Sequence, residues 1–153
     1  MRTFFIPLTS LLLVCAASLP AQAQDNVVIS EFMASADRGL ADENGEFSDW
    51  IEIHNAGTNT VNLFNWSLTD NAANLTQWQF PATNINAGQF MVIFASNKDR
   101  RVPGGRLHTN FRLDAGGEYL ALVRPNGTIA TEFNQVNGGF PAQVPNVSFG
   151  SAV

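Results

Sequence analysis

Cysteine is all but missing: the 153 residues hold one, Cys15, and it lies in an apolar leader. An exported chain cut behind that leader has no disulfide, so its core alone must hold it together. Charge is scarce as well, at 14% of residues, and skewed, with 13 acidic against 8 basic side chains and a net charge of -5. That balance argues against a phosphate-binding surface, so nucleic acid is not an expected partner. Behind the leader there is no helical recurrence of apolar residues, and no apolar run reaches the ~20 residues that span a bilayer. Stable membrane insertion after removal of the leader is therefore not expected. Catalytic signatures are also missing: no Gly-x-Ser-x-Gly elbow locates a nucleophile, and His54 and His108 do not stand at a metal-ligand spacing.

What is present begins with that leader. Arg2 supplies a positive n-region, Phe4 to Ala17 are mostly apolar, and Ala21-Gln22-Ala23 has the small-x-small form of a cleavage site. Residues 1–23 read as a signal peptide cut after Ala23, which makes the mature chain secreted, extracellular or cell-surface, with the periplasm also open. Val14 stands before Cys15 where a lipid-anchored cysteine wants a small residue, so ordinary cleavage is the better reading. The remaining length suits one domain.

Short strands then follow at close spacing. Val27 to Met33, Trp50 to His54, Val61 to Leu63 joined to Trp66 to Thr69 through a bulge, and Gln77 to Phe80 alternate or cluster apolar residues between turn signals. Ala34 to Ser48 is a polar, acidic loop. Phe90 to Ala95 is the most continuous apolar run and predicts a central strand buried on both sides. Tyr119 to Val123 and Thr128 to Phe133 flank Arg124-Pro125-Asn126-Gly127 and predict a hairpin. Leu107 to Leu113 is ambiguous, and Val147 to Phe149 predicts a final edge strand or a tail. The pattern predicts an all-β, immunoglobulin-like antiparallel β-sandwich over 24–134 with three tryptophans anchoring its core, followed by a Gly/Pro-rich segment, 135–153, that either adds an edge strand or starts a linker.

Six motifs in order carry a resemblance: Ile29-Ser30-Glu31-Phe32-Met33-Ala34, Trp50-Ile51-Glu52-Ile53-His54-Asn55, Leu63-Phe64-Asn65-Trp66-Ser67-Leu68, Gln79-Phe80-Pro81, Ile85-Asn86-Ala87-Gly88-Gln89 and Gly117-Glu118-Tyr119-Leu120-Ala121-Leu122. In this series the chain resembles the lamin tail domain family, the immunoglobulin-like module of nuclear lamins that also occurs in exported bacterial proteins. It departs from the lamin form in its long acidic loop, its leader and its lack of a coiled-coil rod. The resemblance implies an accessory domain rather than a catalyst, of the bacterial exported type found beside spore-coat-kinase-like and other secreted modules.

The candidate sites are few. Asp42, Asn44, Glu46 and Asp49 offer hard oxygen ligands around Gly45, so a calcium site is one reading and a solvated acidic loop without a cofactor the other. Glu31 and Glu52 sit on neighbouring strands, where a glycosidase-like pair is possible and a structural role, bonded to loop N–H groups or to an arginine such as Arg112, is favoured. Trp50, Trp66, Trp78, Phe90 and Phe94 serve either as sugar platforms or as core. The expected function is an exported, non-catalytic interaction module that binds a protein or cell-surface polymer through Ala34 to Asp49 and Asn97 to Arg106. The alternatives are an accessory piece of a larger secreted enzyme and a calcium-stabilised carbohydrate-binding module.

Overall fold

The computed structural model describes residues 26–136 and 138–150, so the proposed signal peptide lies outside the described residues. Eleven strands follow in order: β1 (Val27–Met33), β2 (Asp49–Asn55), β3 (Val61–Asn62), β4 (Ser67–Thr69), β5 (Trp78–Gln79), β6 (Asn84–Ile85), β7 (Phe90–Ala95), β8 (Leu107–His108), β9 (Leu120–Val123), β10 (Ile129–Phe133) and β11 (Phe149–Gly150). One sheet runs β11-β1-β2-β7-β8, a second β10-β9-β4-β5, and β3 pairs with β6 alone. The fold is an all-β, immunoglobulin-like sandwich. Its pairings are antiparallel except β7 with β8, where the chain returns through the basic loop in the same direction.

The register follows from the spacing of apolar residues. Val27 and Ile29 face the core, but Phe32 lies an odd number of positions further on and would point outward in a regular strand. A bulge between Ile29 and Glu31 absorbs one residue, so Phe32 turns inward and Glu31 outward. Val27, Ile29, Phe32, Ile51, Ile53 and Ile93 then meet Leu68, Trp78, Leu120, Leu122 and Phe133 in one core. Burial of this apolar surface has to supply most of the stability, because the described residues contain no cysteine.

Three expectations need correction, and one ambiguous segment takes a definite form. The segment read as one bulged strand is two, because Asn65 adopts φ 62° and turns the chain between β3 and β4, which belong to different sheets. β7 is not buried on both faces: Phe90 is 49% exposed, and the outward Phe94 is covered by a loop rather than by the core. Only Trp66 and Trp78 anchor the core, while Trp50 pairs in register with Phe94 on the outer face. The ambiguous Leu107 to Leu113 forms β8 and then crosses back, with bridges from His108 to Arg100 and from Arg112 to Ser96.

The hairpin forms as expected, with Gly127 at φ 82° and its N–H donating to Arg124 O at 2.9 Å. The described part of the Gly/Pro-rich stretch packs on the sandwich. Phe140 is buried against Phe32 at 4.6 Å, and Phe149 lies opposite Phe32 in the edge strand β11. Asn55 is fully buried yet satisfied, donating to Asn59 O at 2.8 Å and Ile85 O at 3.1 Å and accepting from Gly57 N–H, which fixes the turn after β2.

Candidate functional site

Two loops distant in sequence meet over one corner of the five-stranded sheet. The acidic loop closes on itself as a small hairpin: Ala41 bridges Phe47, Asp42 N–H donates to Glu46 O at 2.9 Å, and Gly45 takes the positive φ of 77° that the turn requires. Asp42 is the hub. Its Oδ1 accepts the N–H groups of Asn44 at 2.8 Å and Glu46 at 3.0 Å, while its Oδ2 pairs with Lys98 from the basic loop. The Asp42 side chain is fully inaccessible. Lys98 also reaches Glu46 at 2.6 Å, Arg100 pairs with Glu43, and Arg106 donates to Ala41 O.

Beneath these pairs lies His108, buried completely and stacked on Phe94 at 5.1 Å. Its Nε2 is 3.0 Å from Glu43 Oε2 and its Nδ1 2.8 Å from Ser96 Oγ. A carboxylate only accepts, so Nε2 carries the proton shared with Glu43. The trio contains the residue types of a hydrolytic triad, but the hydroxyl faces the wrong nitrogen relative to that template. Ser96 is also buried. It braces the loops.

The electrostatics agree with the geometry. Desolvation pushes the Asp42 carboxyl up, but Lys98 and the N–H groups of Glu46 and Asn44 together outweigh it and hold the group at about 2. The hydrogen bond from His108, helped by Arg100, holds Glu43 at about 2 as well. Lys98 is raised by its bonds to Asp42 and Glu46. Asp49 is raised by burial, with its Oδ1 accepting Ala36 N–H at 3.2 Å.

The four expected calcium ligands are thus divided. Asp42 and Glu46 share Lys98, Asn44 contributes a backbone N–H, and Asp49 accepts the Ala36 N–H in the loop after β1. Among the described residues it is Asp42, Glu43 and His108 whose potential ligand atoms lie within 4.8 Å of one another. Glu43 and His108 were not linked by the sequence, since they are 65 positions apart and share no motif. Glu31 and Glu52 do face each other, but their partners are the hydroxyls of Ser148 and Ser30. Arg112 instead donates to Ser96 O at 3.5 Å.

A second group of carboxylates has less compensation. Burial pushes Glu118 up to about 7 against the Asp114 N–H that it accepts at 2.7 Å, and the charges of Asp70, Asp114 and Asp49 add to the rise. Because the folded value lies above the ordinary one, the neutral acid favours folding below about pH 4.5, and this contribution is lost as pH rises through about 7. Glu118→Gln is therefore expected to stabilise the protein at pH 8 by about 1 kcal/mol after solvent screening, and to change little at pH 4. Urea unfolding at both pH values checks the sign.

The loop tips present Leu40, Phe47 and Val102, exposed by 40%, 46% and 66%. Phe47, with Ala36, Ser48, Asp49, Ala95 and Arg112, also lines a pocket of about 190 Å³. The site has apolar tips on a charge-balanced base, a form suited to recognition rather than bond chemistry. A comparison with curated proteins finds no match. The family model described as Lamin Tail Domain matches residues 20–137, and that family is one of non-enzymatic immunoglobulin-like domains. On this match over most of its length, taken with the sandwich fold, the chain belongs to the lamin tail domain family.

Proposed function

We propose that the protein is an exported interaction module that binds a protein or cell-surface polymer through the paired loops. The observation that carries this reading is the cross-bracing of residues 41–47 with residues 98–108 by Lys98, Arg100, Arg106 and His108. Loops held this way lose little further entropy on binding, so Leu40, Phe47 and Val102 form a preorganised patch. Export rests on the leader, with its Arg2 charge and its Ala21-Gln22-Ala23 site. The test is binding of the purified protein to the envelope of the producing cell. Changing Leu40, Phe47 and Val102 together to Asp is expected to abolish binding with the melting temperature unchanged, and full retention would overturn the assignment.

No cofactor is part of this reading, because Lys98 supplies the positive charge that calcium would bring to Asp42 and Glu46. Millimolar calcium is therefore expected to leave the melting temperature of the native protein unchanged. Lys98→Met is expected to destabilise it by about 2 kcal/mol and to make its melting temperature rise with calcium. A calcium-dependent melt of the unaltered protein would restore the alternative of a calcium-stabilised carbohydrate-binding module.

A further inference from the structure

The two sheets differ in what covers their outer faces. On the four-stranded sheet the outward Ser67, Thr69, Ala121 and Val123 are all buried. On the five-stranded sheet the register sets out three rows: Val28, His54 and Phe90; then Glu31, Glu52 and Val92; then Met33, Trp50, Phe94 and His108. The braced loops shut over Phe94 and His108, but Phe90 is 49% exposed and Trp50, Glu31, Glu52 and His54 are partly exposed. An open, mixed aromatic and acidic face remains.

Its centre carries an unrelieved charge. Glu31 and Glu52 are directly opposite in register, an arrangement that like charges disfavour. Their partners are hydroxyls only, Ser148 on Glu31 and Ser30 on Glu52 at 2.7 Å, and neither has an ion pair among the described residues. On one side Phe90 lies flat on His54 at 4.0 Å and 6°, and on the other Trp50 stands four residues along β2, about 13 Å away by strand rise. The order across the face is ring, paired carboxylates, ring.

We infer that this face binds a cationic amino-sugar polymer. The apolar faces of sugar rings stack on Phe90 and Trp50, and an ammonium group between them bonds to Glu31 and Glu52, with charge complementarity selecting the amine. A peptide adding itself as a strand has no place here, because β1 and β2 are each flanked by two hydrogen-bonded neighbours. The surface is separate from the loop tips, so the two assignments fail independently.

The test is calorimetric titration of the full chain at low salt with a glucosamine oligomer, its N-acetylated counterpart, and oligolysine of equal charge. The glucosamine oligomer is expected to bind, more weakly as salt rises, and the acetylated one to bind about tenfold less well, as loss of a charge-assisted hydrogen bond implies. Glu31→Gln with Glu52→Gln is expected to weaken binding about tenfold or more, while glutamine still accepts the serine hydroxyls and keeps the fold. Phe90→Asn, at an exposed ring, is expected to weaken binding severalfold, and Phe47→Asp to leave it unchanged. Absence of binding, equal binding by the double glutamine variant, or oligolysine binding as tightly as the sugar would each overturn the proposal.

Discussion

Replacing Asp42 by alanine is expected to cost about 3 kcal/mol of folding stability and about 10 °C in melting temperature, a large loss for a residue in a surface loop. The reason is the number of groups this one carboxylate serves. Two N–H groups, of Asn44 and Glu46, lose their acceptor, and the Lys98 ammonium loses the buried one of its two carboxylates. Asp42→Asn keeps one carbonyl oxygen for the N–H groups but removes the charge facing Lys98, so its cost should fall between alanine and the native residue. The pH dependence follows with a definite sign. Asp42 and Glu43 titrate near 2 in the folded protein, below their ordinary values of 3.8 and 4.5. Their contribution is present above those ordinary values and lost as pH falls toward 2. Acid unfolding of the native protein should thus be steeper than that of the alanine variant, and an unchanged melting temperature for Asp42→Ala would show the hub to be ornamental.

Gly139→Ala is expected to be as damaging, for a different reason. A Cβ at this position would lie 2.3 Å from the carbonyl carbon of Glu118 and 2.4 Å from its oxygen, both of them backbone atoms that cannot swing aside. The close approach exists because Phe140 N–H donates to Glu118 O at 2.8 Å, which seats the Phe140 ring on Phe32. Adding one methyl group must lift this segment and open the core beneath it, at about 3 kcal/mol or more. The neighbouring Gly138 has a positive φ of 85° but open space around it, so alanine there should cost only about 1 kcal/mol. Urea denaturation distinguishes the pair. Equal, small losses would mean that residues beyond 134 are a linker and not part of the sandwich.

Much of this fold is written locally. β1, β2 and the β9–β10 hairpin follow from alternation and from turn residues that act within a few positions, such as Asn126, whose Oδ1 accepts Thr128 N–H at 3.0 Å. The split between β3 and β4 was hidden because it rests on a single Asn65 in the left-handed region, a weak turn signal set among the apolar Leu63, Phe64 and Trp66. Phe94 misled for the opposite reason: an apolar residue signals burial but not which surface buries it, and here it is a loop. The candidate site was half legible. Both loops could be named from composition, but their pairing joins Asp42 to Lys98 across 56 positions and Glu43 to His108 across 65, with no periodic signal to join them.

The most direct measurement of the account is amide hydrogen exchange on Lys98→Met beside the native protein. The bonds to follow are Asp42 N–H to Glu46 O in the acidic loop, and the reciprocal pair between Arg100 and His108 in the basic one. If Lys98 welds the loops into one surface, its loss lowers protection in both sets together, by a similar factor. Loss confined to the residue 98–108 side, with Asp42 and Glu46 as protected as before, would show two independent loops and contradict the shared recognition surface.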